Sequence, residues 1–149
     1  MSSWWRIAAF AAFAIPITFI DLRRMRIPDA LSIGGILVVL ALDVLLLKAP
    51  ADLIVLEAIV GFGVFWLIRL GTRGALGLGD VKYSVLIALS LGLLGWLTTI
   101  AVAAVTGLVT GLVMIRRRKV PLSTRIPFAP FLTLGAVISI VMHQARLLS

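Results

Sequence analysis

The sequence predicts an all-α membrane protein of six transmembrane helices, and three observations carry that reading. Hydrophobic residues fill 62% of the 149 positions and charged residues only 13%, with a mean hydropathy of +1.19. Soluble domains carry about 25% charged residues, so half that leaves too little polar surface to cover a water-soluble globule. The apolar residues fall into runs close to the roughly 20 residues that one bilayer crossing needs. Finally, the 14 Lys and Arg collect on alternate loops between those runs, as cytoplasmic loops of polytopic proteins do. A soluble domain and a disordered chain are both excluded, and a chain this short is expected to form a single domain over 1–149.

The first expected helix covers about 4–20. It is read as retained rather than as a secretory signal, because Arg6 is its only basic residue and no small-residue cleavage site follows before Arg23. Pro16 inside it is tolerable as a kink. The second helix runs over about 30–47 and contains Asp43; the third runs over about 52–68 and contains Glu57. From Tyr83 to Ile115 no charge occurs over 33 residues, too long for one untilted crossing. The Leu91-Gly92-Leu93-Leu94-Gly95 stretch offers a tight turn there and divides it into a short fourth helix and a fifth. A sixth helix covers about 127–145. With six crossings, eleven of the 14 basic residues share one side: Arg23, Arg24, Arg26, Arg69, Arg73, Lys82, Arg116, Arg117, Arg118, Lys119 and Arg125. Arg6, Lys48 and Arg146 fall on the other. The positive-inside rule then places the crowded side in the cytoplasm and both termini outside. This accounts for the net charge of +8, which in a soluble protein would suggest nucleic acid.

Composition also narrows the chemistry. With no Cys, disulfides, thiolate metal sites and Cys nucleophiles are excluded, and a lone His excludes a multi-histidine metal site. The six acids Asp21, Asp29, Asp43, Asp52, Glu57 and Asp80 remain, and ionisable groups inside a membrane domain are functional candidates by default. Asp21 directly follows the apolar run of the first helix, and Asp80 directly precedes the fourth. Both belong to the expected cytoplasmic boundary, at equal depth, where they can face one another across the bundle. Two close carboxylates cannot both ionise easily and share a proton. Such a pair hydrolyses an amide without a cofactor: the ionised member takes a proton from the attacking water, and the protonated member binds the carbonyl oxygen and helps protonate the leaving amine. Lys82 and Arg23 are placed to bias which Asp holds the proton. The alternative for Asp21 is pairing with Arg23 or Arg24, or capping a helix.

The wording around both acids separates these readings. Asp21-Leu22-Arg23-Arg24-Met25-Arg26-Ile27-Pro28-Asp29 resembles the first signature of the type IV prepilin peptidases, an Asp followed six residues later by Ile-Pro and usually Asn. Gly77-Leu78-Gly79-Asp80-Val81-Lys82 matches their second signature, Gly-x-Gly-Asp-x-Lys. Arg125-Ile126-Pro127-Phe128-Ala129-Pro130-Phe131 is similar to the Pro-Phe-x-Pro segment that opens the family's last helix.

The resemblance covers nearly the whole chain. It implies an aspartyl endopeptidase of the inner membrane that removes the basic leader of pilin-like precursors at the cytoplasmic face, with Asp21 and Asp80 as the catalytic pair. Gly77 and Gly79 would permit a sharp turn or close backbone approach to substrate. Lys82 would tune the pair, bind the peptide, or snorkel to the interface. Pro28 ends the loop, and Asp29, in the place usually held by Asn, is expected to cap the second helix. The absence of Cys matches the short Tad/Flp-type and archaeal-like forms. These lack the cysteine-bearing N-terminal insertion linked to N-methylation, so cleavage without methyl transfer is expected. No metal or other cofactor is implied.

The remaining polar features have plainer expectations. Asp43 and Glu57 would pair with Lys48 or reach the interface. The alternative function, a small proton-coupled transporter or a non-catalytic assembly subunit of a pilus or secretion machine, would use them as relay groups. Arg116 to Lys119 reads as a topology anchor against anionic lipid, not a nucleic-acid patch. His143 and the tryptophans Trp4, Trp5 and Trp96 are expected at the interfaces. Ala103, Gly107 and Gly111 form a small-residue stripe for packing within one chain rather than a dimer seam. The oligomeric state and the pilin that would be cleaved are not encoded in any recognisable pattern.

Overall fold

The structure is a computed structural model that describes residues 4–47, 49–118 and 127–148. Among these, every regular element is helical: α1 (Trp4–Arg24), α2 (Asp29–Leu42) continued by a π-helical turn (Asp43–Leu47), α3 (Ala51–Gly71), α4 (Leu78–Arg118) and α5 (Ala129–Leu148). Three helices are long and apolar enough to cross a membrane: Trp4–Arg24, Ala51–Gly71 and the stretch Leu78–Arg116. The chain is thus a membrane protein built from helices. α2, at 14 residues, and the apolar stretch Ala129–Ala145 are shorter.

The 41 residues of α4 do not form one rod. At 1.5 Å per residue a straight helix of that length would reach about 60 Å, twice a hydrocarbon core of about 30 Å. The helix breaks at Gly92, whose φ of 72° and ψ of 172° lie in a region essentially reserved for glycine. The break falls inside the Leu91–Gly95 stretch where the sequence places a turn. Trp96 Nε1 donates to Ser84 Oγ at 2.8 Å across it. Those residues are twelve positions apart, about 18 Å along a straight helix, so the chain must reverse for them to meet. Counting the limbs 78–91 and 93–118 separately gives six helical segments.

The reversal corrects one expectation. Trp4 and Trp5 are exposed, but Trp96 is buried and hydrogen-bonded to Ser84 instead of standing in an interfacial belt. Being four residues past the break, it points back along the limb the chain has just left.

The first limb of α4 is the centre of the bundle. Residues 83–90 are all buried, as expected of a helix apolar on every side. Small residues let neighbours close on it: a Cβ on Gly61 of α3 would lie 2.9 Å from Ala88 Cβ, and one on Gly35 of α2 would lie 2.8 Å from Leu86 Cδ2. Ser84 Oγ also donates to Gly61 O at 2.9 Å. On the second limb Ala103 is buried, and a Cβ on Gly107 would lie 3.5 Å from Phe128. That part of the stripe packs within the chain. Outward-facing positions such as Leu67 and Leu94 are exposed and apolar, as a lipid-facing surface requires.

Antiparallel neighbours gather the C-terminal ends of α1 and α3 with the N-terminal ends of α2, α4 and α5 at one end of the bundle. Arg23, Arg24, Arg26, Arg69, Arg73 and Lys82 all belong to that end. Lys119 and the Arg125-Ile126 start of the third motif lie outside the described residues, as does Lys48.

Candidate active site

Asp21 lies one turn before the end of α1 and is only 5% exposed. Its Oδ2 accepts the backbone N–H of Ala129 at 3.1 Å. Ala129 opens α5, where the first N–H groups have no intrahelical partner. Pro130 next to it has no N–H to satisfy. The Asp21 carboxylate therefore serves as the cap of another helix, reached across 108 residues of sequence. A capping role was anticipated for Asp21 as an alternative, but not with this partner. The other alternative, pairing with its neighbours, is not what the structure has. Arg23 stacks its guanidinium 4.2 Å over the Phe19 ring, and among the described residues Asp21 enters no ion pair.

Asp80 occupies the first turn of α4. Its carboxylate is partly buried, lies beside Gly77, and is close enough to Asp21 for the two to repel electrostatically. No ion pair neutralises Asp80 among the described residues. The two acids thus share one end of the bundle within each other's field, Asp21 held by a backbone N–H and neither by a cation among the described residues.

The segments carrying them are interlocked. A Cβ on Gly79 would lie 2.7 Å from Ile27 Cβ, so only glycine lets the first turn of α4 press against Ile27. A Cβ on Gly77 would lie 3.0 Å from Asp80 Oδ2, crowding the carboxylate. Neither glycine has a positive φ. What each accommodates is a neighbour within the chain. Lys82 Nζ pairs with Asp29 Oδ1 at 2.7 Å, so its charge is engaged one step away from both acids.

Asp29 itself does not cap α2. Pro28 holds the cap position in extended conformation (φ −65°, ψ 129°) with no side-chain cap bond, and Ser32 Oγ donates instead to the Pro28 and Asp29 carbonyls. Asp29 is the first helical residue and its side chain turns to Lys82. The loop after α3 is also tied down, because the Arg69 guanidinium donates to Leu76 O beside Gly77.

Among the described residues no group of three or more His, Asp or Glu is placed to hold a metal ion. The chemistry open to this arrangement is proton transfer between two carboxylates and a water. What the sequence reading missed is the Ala129 N–H, since backbone donors leave no trace in a sequence.

At the opposite end, Asp43 is fully buried and paired with Arg6. Glu57 is 3% exposed and within the field of both. Neither acid reaches the interface as expected.

Comparison with known proteins agrees with the motifs. The model of the type IV leader peptidase family matches residues 8–112. A prepilin leader peptidase/N-methyltransferase of Stutzerimonas stutzeri is 30% identical over 135 residues, covering 85% of this chain and 46% of that protein. Proteins of the same description are 26% identical in Pectobacterium carotovorum subsp. carotovorum (96% of this chain, 53% of the relative) and 29% identical in Pseudomonas putida (92% and 52%). The chain spans about half the length of the curated relatives it matches. No solved structure matches it.

Proposed function

The chain belongs to the type IV leader peptidase family, and we propose that it is a membrane aspartyl endopeptidase removing the basic leader of pilin-like precursors. In this reading Asp21 and Asp80 are the catalytic dyad. One carboxylate is ionised and takes a proton from water as the water oxygen attacks the scissile carbonyl carbon. The other is protonated and hydrogen-bonds the carbonyl oxygen, which becomes the alkoxide of the tetrahedral intermediate. Collapse of the intermediate breaks the C–N bond, and the dyad's proton goes to the leaving amine.

The observation that carries the proposal is that two carboxylates from segments 59 positions apart lie at one end of the bundle within each other's field, with no ion pair to either among the described residues, both inside the matched region. Gly79 against Ile27, Gly77 beside the Asp80 carboxylate, and Lys82 on Asp29 act as supports that hold the two segments in register.

Location follows from charge. The dyad's end also carries the basic residues of the α1–α2 and α3–α4 connections, which supports a cytoplasmic orientation of the site in a multi-pass inner-membrane protein with both termini outside. The substrate would then present a basic leader at that face and a hydrophobic helix in the bilayer. Arg116 and its basic neighbours would meet anionic lipid there. The proposal is confined to peptide hydrolysis.

The test is co-expression with a prepilin and detection of its size shift. Asp21→Asn and Asp80→Asn should each leave the precursor at full length. Normal processing by either variant would remove the dyad.

A further inference from the structure

One helical turn deeper than the two carboxylates, three helices meet again through hydroxyl groups. Thr18 precedes Asp21 by three residues on α1, Tyr83 follows Asp80 by three on α4, and Thr133 follows Ala129 by four on α5. Those offsets put each hydroxyl on the same helix face as the site group above it. Thr133 Oγ1 lies 2.6 Å from Thr18 Oγ1 and 2.7 Å from Tyr83 Oη, and it donates to Ala129 O at 3.0 Å. Tyr83 is fully buried, the largest of the fully buried side chains, and its ring stacks on Phe10 at 6.2 Å.

The donor inventory fixes the direction of these bonds. A threonine hydroxyl has one proton and two lone pairs. With its proton given to the Ala129 carbonyl, Thr133 has both lone pairs free, and Thr18 and Tyr83 each supply one donor. The hub is then saturated, and no choice of orientation remains. Back-bonding of a Thr hydroxyl to the carbonyl four residues earlier is ordinary in helices. A second and a third helix ending on the same oxygen are not required by it.

Ala129 joins the two layers. Its N–H goes to Asp21 Oδ2 and its carbonyl accepts from the Thr133 hub. From this we infer that the Thr18–Tyr83–Thr133 hydroxyl cluster is a positioning device for the reaction: it sets the height of α5 so that the Ala129 N–H orients the Asp21 carboxylate, and through Tyr83 it sets α4, and with it Asp80, in register with both. Thr133 and Tyr83 are positioning residues and do not touch the reacting atoms. The inference rests on the dyad reading above, and the experiment separates their failures.

Purified full-length protein in detergent micelles is assayed on a synthetic prepilin peptide, a basic leader joined to an apolar helix. Thr133→Val removes the hub oxygen at nearly constant shape, Tyr83→Phe removes one spoke, and Thr133→Ser keeps the hydroxyl. Misplacing catalytic groups by about 1 Å costs about a hundredfold, so Thr133→Val should lower kcat by roughly ten- to a hundredfold with KM unchanged. Tyr83→Phe should lower kcat by less, and Thr133→Ser should restore most of the rate. A merely structural role would lower the amount of folded enzyme and leave its kcat alone.

A second arm needs no activity. The chain has no cysteine, so Asp21→Cys with Asp80→Cys gives a single thiol pair whose cross-linking yield reports how the two positions face each other. Adding Thr133→Val should reduce that yield, and Thr133→Ser should not. Unchanged kcat and unchanged cross-linking in Thr133→Val, beside an inactive Asp21→Asn, would overturn the positioning role. Normal cleavage by Asp21→Asn and Asp80→Asn would overturn the dyad instead, and the cross-linking yield alone would then decide the hydroxyl cluster.

Discussion

At one end of the bundle Asp21 and Asp80 lie within each other's field, with Asp21 accepting the Ala129 N–H; at the other, Asp43 is paired with the guanidinium of Arg6 and Glu57 lies in the field of both. Both are pairs of acids withdrawn from water inside an apolar shell, where an uncompensated charge is costly. They meet that cost differently. Arg6 neutralises Asp43 directly, so an ion pair fastens α1 to the π-helical turn, while Glu57 of α3 lies in the field of both without an ion pair among the described residues. Among the described residues the Asp21 and Asp80 end has no such cation, and a proton shared between the carboxylates or supplied by water takes its place. A pair with a cation holds helices together, whereas a pair without one keeps a proton to exchange. With one guanidinium for two acids, Glu57 stays without an ion pair, so what separates the two ends is the single Arg6–Asp43 bond.

The sharpest way to break this comparison is to neutralise one acid at each end. Asp21→Asn or Asp80→Asn should reduce cleavage at least about a thousandfold, as loss of one member of a catalytic unit does. Folding should be retained, because Asn is nearly isosteric with Asp and its side-chain oxygen at position 21 still accepts the Ala129 N–H. Asp21→Ala, which also removes the cap of α5, should cost about 1 kcal/mol in addition. Asp43→Asn or Arg6→Leu should do the reverse. Stranding one half of a buried pair costs about 3–5 kcal/mol, seen as a loss of thermal stability in detergent, with kcat of the surviving folded protein near normal. An Asp43→Asn protein that is stable and inactive would put the chemistry at the wrong end.

A smaller effect is expected from the contact that brings the first end together. Gly79→Ala places a methyl 2.7 Å from Ile27 Cβ, a distance that must relax by moving the Ile27-Pro28 segment or the start of α4. Overpacking of this kind costs about 1–3 kcal/mol. Since both moving parts adjoin an acid, kcat should fall about tenfold. Kinetics on the folded fraction check this. A rate equal to the parent would mean that the two segments tolerate separation.

Much of this was legible along the chain, and the gaps have a common cause. Apolar runs and basic loops mark the helices. The charge-free stretch with Gly92 marks the reversal, because no single helix of that length fits a bilayer. The ends of the apolar runs and the side assignment of the basic loops gave Asp21 and Asp80 an expected shared level. What the sequence hid are partnerships set by which face a helix turns inward: Arg6 on Asp43, 37 residues apart; Lys82 on Asp29, where capping was expected; Trp96 on Ser84, where an interfacial belt was expected. The Ala129 N–H and the Thr133 hub are hidden for a further reason. A backbone donor and a threonine on an apolar helix look the same whether or not another helix uses them.

The smallest effect expected is also the most discriminating for the comparison. Lys82 and Asp29 form a partly exposed pair, with side chains 30% and 66% accessible, and exposed pairs contribute about 0–1 kcal/mol. Asp29→Asn keeps an acceptor for the Lys82 ammonium and should change cleavage and stability little. Lys82→Gln removes a charge that stands two residues after Asp80 and is engaged by Asp29. If Lys82 serves only to tie Asp29 to α4, both variants should process a prepilin within a few-fold of the parent rate. A large loss in Lys82→Gln alone, concentrated in KM, would mean that its ammonium leaves Asp29 for the bound peptide. The same loss concentrated in kcat would put a cation at the dyad during turnover. The contrast between a compensated and an uncompensated end would then hold only for the resting protein.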